Sequence, residues 1–563
     1  MAVRKWMFLF FLFVGSNGFS AEKTCGKLLD QIIIKFNTIS SLSNPNLDRP
    51  FWKDFSKKNS LPIQSVKPMA SGAYLIVIDS KKLAQLAKKA ALPTSNYLNL
   101  AIKTLSKQPD VKYADQDMEL CLIKPPIPIK KPSLSNAKAA LISHASQWDV
   151  FHYPGVFLES SPGLLDGAWA TTLGYANPPI VLSNFEPINY NPDLAPNVLT
   201  GWNFATNNTN TSDPGEDHGT HTAGTIAATG NVFGIAGMGP ALKILPIVVD
   251  TFSQLEEGIY WSMGNDVFGA PHNHYPAKVL SMSFILPKIG CPSSLQETID
   301  AFVKNNGTIV AGAANNNQPV PNAPPQACNH VIVVAATQIN GYRALYSNFG
   351  PRVTLAAPGG EWTEGGGCDA NGILSTVSAN TGCQNSGFAF WQGTSMATPH
   401  VAGIAGLLYA INPKLSAAEV KNILLASVSP FPSTADPERS CTGVKSCGAG
   451  IVNAYNAVQL ALSGRVVIPS PPWASLKLQT SFDPFNRCPP NMFVPTAESI
   501  ASPISGNWIV NKSTRACQPL SVYENPIFQV NTQYIQVAYG KTLLTLSTSG
   551  LNCRVNYPYG FIC

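Results

Sequence analysis

The sequence predicts an α/β protein: a mostly parallel sheet covered by helices, preceded by a small α+β unit and followed by a β-rich segment. Three observations lead there. Between 145 and 463, short unbroken apolar runs alternate with helix-like runs. Strands of that kind are buried on both faces, as in a parallel sheet with helices on either side. Between 73 and 120, two strand-like runs flank two helix-like ones. From 466 onward Thr, Ser, Asn, Tyr and Val dominate, and no helical periodicity is found.

The elements follow in order. Residues 22–70 carry little pattern. Residues 74–79 alternate like a strand, and 80–91 are rich in Lys, Ala and Leu, which favour helix. Leu98, Ile102 and Leu105 fall on one face of a helix over 96–107, and 111–120 reads as strand. The run Lys-Pro-Pro-Ile-Pro-Ile-Lys-Lys-Pro at 124–132 is stiff and extended, a linker and a processing region. Strands are predicted over 244–249, 278–284, 307–314 and 331–336, and helices over 253–263 and 293–304. Ser416 and Glu419 form the capping box of a helix reaching 425. A second Pro-rich run at 468–473 separates the tail. The expected domains are therefore 1–21, 22–124, a linker at 125–144, 145–463 and 466–563.

The first segment sets the compartment. Arg4 and Lys5 precede an apolar run over 6–14, and Gly18, Ser20 and Ala21 follow. This is a secretory signal, and its run of about ten residues is too short to span a bilayer. No other stretch is apolar over 18 residues, so no membrane span is expected. Export makes the 12 cysteines a disulfide set, since none has CxxC spacing. The simplest local pairs are Cys291–Cys328, Cys368–Cys383 and Cys441–Cys447. The composition, 45% hydrophobic and 12% charged over 563 residues, excludes a disordered chain or a coiled coil. A net charge of +6 is no nucleic-acid footprint on a chain this long.

Two segments carry the chemistry. One runs Asp217-His218-Gly-Thr-His221-Thr-Ala-Gly-Thr-Ile-Ala-Ala, the other Gly393-Thr-Ser395-Met-Ala-Thr-Pro-His-Val-Ala-Gly403. Read singly, His218 and His221 could be surface histidines or a metal pair, and Ser395 a helix cap. The segment is not HExxH, which disfavours a zinc-protease helix. A third segment, Thr308-Ile-Val-Ala-Gly-Ala-Ala-Asn315, completes a set in which His218, Asn315 and Ser395 lie 97 and 80 residues apart.

Together these segments resemble the histidine, asparagine and serine boxes of the subtilisin-like serine proteases (peptidase S8), bacterial secreted type. Ser347-Asn-Phe-Gly350, Ala356-Ala-Pro-Gly359 and Cys447-Gly-Ala-Gly-Ile-Val-Asn453 extend the resemblance over about 145–463. It implies the family's three-layer α/β fold, with Ser395 as nucleophile, His218 as general base and Asn315 in the oxyanion hole. It implies that 73–120, ending in Val111-Lys-Tyr-Ala-Asp-Gln-Asp117, is an inhibitory propeptide that also assists folding. Protein or peptide substrates and this propeptide are the expected partners of a monomer that binds no nucleic acid. Calcium is the one structural ion the resemblance allows, although no ligand loop is evident.

The family's third catalytic residue is an aspartate at a strand end before the histidine box. The only suitable strand here is Ile180-Val-Leu-Ser-Asn184-Phe185-Glu186. The strand puts Asn184 in the aspartate's place, whereas counting back from Asn191 reaches Phe185; neither is charged. Glu186 lies two residues on, on the same side of an extended strand as Asn184, and is the alternative carboxylate. Asp217, Asp193 and Asp213 are more remote ones. A second departure concerns substrate: Ser283-Phe284-Ile285-Leu286 stands where the family has Ser-Leu-Gly-Gly, so Ile285 and Leu286 are expected to narrow the cleft. Two readings result, a secreted endopeptidase of attenuated activity and an inactive pseudoprotease acting as a peptide-binding or decoy protein.

Overall fold

The computed structural model describes residues 27–37, 50–120, 146–151, 154–159, 167–230, 234–286, 289–363 and 368–463, and seven strands between 508 and 562. The expected signal segment, both Pro-rich linkers and the cysteines at 25, 121 and 488 onward fall outside the described residues, apart from Cys517 within a strand. The chain divides into two compact units, 1–467 and 468–563.

The N-terminal part of the first unit is an antiparallel sheet with helices. Its elements are β1 (Leu28–Phe36), α1 (Pro50–Asn59), β2 (Ile63–Pro68), β3 (Tyr74–Ile78), α2 (Ser80–Lys89), α3 (Thr94–Leu105) and β4 (Val111–Met118), with strand order β2-β3-β1-β4. The unit thus begins at β1, well before residue 73. β1 escaped the sequence reading for a physical reason. Ile32, Ile33 and Ile34 are all fully buried, so the strand shows no alternation. Ile32 and Ile34 enter the unit's own core, while Ile33 joins the core of the following domain.

That domain contains β5 (Val181–Asn184), β6 (Trp202–Asn203), α4 (His218–Ala227), β7 (Lys243–Val248), α5 (Phe252–Ser262), β8 (Val279–Met282), α6 (Ser293–Lys304), β9 (Thr308–Gly312), β10 (Val331–Thr337) and β11 (Leu355–Pro358). A hairpin of β12 (Ile373–Thr376) and β13 (Phe388–Trp391) leads to α7 (Thr394–Ile411), α8 (Ala417–Ala426) and α9 (Ala454–Ser463). Seven strands form one parallel sheet in the order β11-β10-β9-β8-β5-β7-β6. One face packs on α4 and α7, the other on α5 and α6. The chain runs from β5 to β7 on one side and returns to β8 on the other. Such a reversal opens a crevice at the carboxyl ends of the strands.

The N-terminal sheet docks on the outer helices through carboxylates. Asp117 of β4 accepts hydrogen bonds from the Ser253 backbone N–H (2.9 Å) and hydroxyl (2.8 Å), in the first turn of α5. Asp115 accepts from the Ser294 N–H of α6 at 2.8 Å. Free N–H groups and the positive dipole end of each helix favour an acid there. Lys35 and Lys112 both reach Glu297, at 2.8 and 2.9 Å, and the Ala70 N–H donates to Glu257 at 2.8 Å.

The domain's first residues are built in firmly. Gln147 is buried and bonds both backbone groups of Ala236. Trp148 Nε1 donates to the Gly372 carbonyl, and the buried Asp149 meets His400 Nε2 of α7 at 2.9 Å. Disulfides join Cys291–Cys328, Cys368–Cys383 and Cys441–Cys447, the local pairs expected. In the second unit the described strands pair antiparallel: β14 (Trp508–Val510) with β15 (Cys517–Pro519), β16 (Ile527–Val530) with β17 (Tyr534–Tyr539) and β18 (Thr542–Ser547), and β19 (Arg554–Asn556) with β20 (Gly560–Ile562).

Candidate active site

The crevice collects the residues singled out in the sequence. β5 ends at Asn184, β8 runs into Ser283, and β9 runs into Asn315. His218 opens α4, and Ser395 is the second residue of α7. Gly219 lets α4 approach the strand: a Cβ there would lie 2.1 Å from the Pro187 carbonyl oxygen and 2.7 Å from Glu186 Cβ.

The carboxylate that meets the histidine is Glu186. Its Oε1 lies 2.5 Å from His218 Nδ1, and both side chains are buried. An ionised carboxylate only accepts, so Nδ1 carries the proton and Nε2 keeps its lone pair. Nε2 has no hydrogen-bond partner. The Thr222 hydroxyl lies 3.3 Å from Glu186 Oε2 and 3.3 Å from Asn184 Oδ1.

Asn184, at the position where the family has its aspartate, does not bond the His218 ring. Its amide donates instead to the Gly219 carbonyl at 3.3 Å. The cause is geometric: β5 ends at Asn184, and the chain leaving the strand carries the longer glutamate two residues on to the ring. The other carboxylates are engaged elsewhere. Asp217 accepts from Asn189, from the Ser378 N–H at 2.9 Å and from the Ser378 hydroxyl. Asp193 accepts from Thr229 and the Ile235 N–H, and Asp213 from the Gly215 N–H. The core residue Phe185 is apolar and fully buried.

His221 is no metal partner of His218. Its Nε2 lies 3.1 Å from the carbonyls of both Ile373 and Ala389, and its ring stacks on Trp391 at 4.7 Å. Burial lowers its pKa to about 3, so the ring is neutral. Among the described residues no three His, Cys, Asp or Glu side chains converge as a metal-binding group.

Ser395 is held by a reciprocal pair of bonds. Its hydroxyl donates to the Ser283 carbonyl at 3.2 Å, and the Ser283 hydroxyl donates to the Ser395 carbonyl at 3.0 Å. That carbonyl is free because the residue four positions on is Pro399, which has no N–H to close the helical bond. Asn315 Oδ1 accepts from the Thr394 N–H (2.9 Å) and hydroxyl (3.0 Å), which leaves its Nδ2 hydrogens as the outward donors. The Met396 and Ala397 N–H groups bond the Gly393 carbonyl, whereas the Ser395 N–H donates to none of the described residues. A helix N-terminal N–H and a side-chain amide thus stand beside one serine hydroxyl.

A family profile settles the relationship. The subtilase family matches residues 158–450, more than half of the chain. The chain belongs to the subtilase family. An extracellular protease of Xanthomonas campestris pv. campestris is 37% identical over 255 residues, 44% of this chain and 40% of that protein. The extracellular basic protease of Dichelobacter nodosus is 30% identical over 447 residues, 71% of this chain and 67% of its own. Among solved structures, fervidolysin from Fervidobacterium pennivorans, described as a keratinolytic enzyme related to subtilisin, covers 78% of this chain and 62% of its own. It does so at 21% identity with a TM-score of 0.52, which concerns the fold alone.

Of the four residues expected to shape the cleft of this subtilase, three face a pocket and one faces the core. Ser283, Phe284 and Ile285 line a pocket beside Ser395, but Leu286 does not. Leu286 turns into the core, and its N–H bonds the Pro324 carbonyl. Four further lining residues, Gly312, Ala314, Gln326 and Thr394, were not singled out in the sequence. Ala314 has φ of 78°, the left-handed region, at a cost of roughly 1–2 kcal/mol. An alanine inside an apolar run gives no local sign of such a φ. Gln326 lies outside every box and reaches the pocket only through the fold.

Proposed function

We propose that the chain is a secreted serine endopeptidase whose catalytic triad is Ser395, His218 and Glu186, with the carboxylate moved two residues along the chain. The observation that carries this reading is the 2.5 Å contact between Glu186 and His218 Nδ1. It supplies what the sequence lacked at Asn184, a negative charge that fixes the ring tautomer and stabilises the imidazolium.

In this reading the Ser395 hydroxyl leaves its resting bond to Ser283 and gives its proton to His218 Nε2 as its oxygen attacks the substrate carbonyl carbon. The carbonyl electrons move onto oxygen, which the Ser395 N–H and Asn315 Nδ2 receive. One such donor is worth about 3–4 kcal/mol, a figure that itself comes from a subtilase. His218 returns the proton to the departing amine, leaving an acyl-serine. Water then repeats the sequence and restores Ser395.

The N-terminal sheet unit acts as an intramolecular inhibitor, released by cleavage between 121 and 145. Its docking on α5 and α6 supports this assignment. Secretion is supported by the signal-like first residues and by relatives named as extracellular proteases. Among the described residues no helix is long and apolar enough to cross a membrane.

The test is expression of the full chain with Ser395→Ala and Glu186→Gln alongside. Wild type should shorten itself and react with a fluorophosphonate, and Ser395→Ala should do neither. A wild-type chain that stays full length, ignores the probe and gains activity only with Asn184→Asp would favour the pseudoprotease reading.

A further inference from the structure

Helix α7 carries the nucleophile at its second position and Pro399 four residues later, so its first turn lacks one helical bond and relies on side chains. Each of its first three carbonyls accepts such a bond. Thr394 accepts from the Thr398 hydroxyl at 2.8 Å, Ser395 from the Ser283 hydroxyl at 3.0 Å, and Met396 from His400 Nδ1 at 2.8 Å. The first two bonds stay within the helix and the crevice. The third leads out of them: His400 Nε2 meets Asp149 Oδ2 at 2.9 Å, across 251 residues of sequence.

The partners dictate where the protons lie. A carbonyl only accepts, so His400 Nδ1 carries a hydrogen. With a neutral ring, Nε2 would then turn a lone pair towards the Asp149 carboxylate. One further proton therefore lies between Nε2 and Oδ2, and the pair as a whole is neutral. Both side chains are buried, and Asp149 Oδ1 has no partner. Desolvation offsets most of the attraction in such a pair, so it adds little stability, but removing one member leaves the other unpaired. Trp148, the preceding residue, packs on the cluster of Ile373, Val377, Ala389, Trp391 and Met396. The Trp391 ring in turn lies 6.2 Å from that of His218. Adjacent residues of one short segment thus bear on the Met396 backbone and on the packing beside His218.

Resting on the catalytic reading above, we infer that Asp149 is a positioning residue for the nucleophile: through the His400 ring it fixes the Met396 carbonyl, and with it the first turn of α7 that holds Ser395. The bond to the ring is what the position requires, and the negative charge itself is dispensable.

The experiment expresses the full chain and measures kcat and KM on a peptide p-nitroanilide, with active sites counted by fluorophosphonate titration. Asp149→Ala should lower kcat per site by about tenfold or more, since a slightly misplaced reacting group costs up to about 100-fold. KM should stay within about twofold, because no cleft residue is touched. Asp149→Asn should recover kcat to within about threefold of wild type, since its amide N–H can donate to Nε2 of a neutral ring. His400→Gln puts an amide where Nε2 was and nothing where Nδ1 was. It keeps Asp149 bonded and frees the Met396 carbonyl, so kcat should fall by about fivefold or more. This milder change decides the matter if Asp149→Ala does not fold. A kcat per site within about twofold of wild type in Asp149→Ala or His400→Gln, whatever the loss of thermal stability, overturns the inference and leaves the catalytic reading intact. An Asp149→Asn enzyme as slow as Asp149→Ala overturns it too. A wild type that neither labels nor cleaves overturns the catalytic reading and the inference with it.

Discussion

Two glutamates of this subtilase are equally hidden from water and live in opposite electrostatic settings. Glu186 is 1% exposed and faces the ring of His218. Glu256 of α5 is 0% exposed, and its neighbours are further carboxylates, Asp115, Asp117 and Glu257, beneath the N-terminal sheet. Burial, reinforced by those neighbours, pushes Glu256 well above the usual carboxylate range. Burial also raises Asp115 and Asp117, and it lifts Glu257 to about 7. The difference teaches what burial of an acid accomplishes. Beside an imidazole ring, it creates a fixed hydrogen-bond partner. Beneath the N-terminal sheet, among other acids, it ties docking to protons.

The largest effect should come from breaking the first setting. Glu186→Gln is expected to lower kcat by about 10³–10⁴-fold on a peptide ester, the scale of a lost triad carboxylate. Glu256→Gln should leave kcat within about twofold. The next effect belongs to the second setting. Acids raised on docking bind more protons docked than free, so the contribution of Glu257 to docking is full below its ordinary pKa of 4.5 and is lost as pH rises through about 7. Each such group can contribute up to about tenfold per pH unit within that window. Hydrogen exchange of the α5 and α6 first turns in the intact Ser395→Ala chain, at pH 5 to 8, reads this directly. Exchange should quicken with pH beyond its intrinsic rate, and Glu256→Gln should flatten the rise. A profile unaffected by Glu256→Gln would remove this acid from the linkage.

A smaller effect tests whether the first setting can be made to resemble the second. Asn184→Asp restores the family's residue but places a second acid against Glu186 and removes the donor to the Gly219 carbonyl. It should lower thermal stability by about 1–3 kcal/mol and raise kcat not at all. The smallest effect concerns one docking contact: Asp117→Ala removes two bonds to the α5 first turn and should weaken docking by about 1 kcal/mol. The same exchange experiment measures it.

Much of this was legible in the sequence because it rests on local constraint. The boxes around His218, Asn315 and Ser395 need small residues for close helix packing, and the helices over 293–304 and 417–426 carry their own periodicity or capping box. What stayed hidden depends on reach and on partners. Asn184 held the expected register, and only the course of the chain beyond it brings Glu186 to the ring. β1 looked featureless because each of its faces is claimed by a different core. Gln326 and Ala314 acquire meaning only once the pocket closes around them.

If the N-terminal unit is released as proposed, a new chain end is created, and a loose end would be open to further trimming. The anchoring of Gln147, Trp148 and Asp149 bears on that hazard. The domain's opening residues are locked to Ala236, to Gly372 and to His400 on the same helix as Ser395. On that reading self-digestion would have a natural stopping point. On the proposed reading, trimming from the new end would meet at residue 147 a segment bonded to the core that carries Ser395.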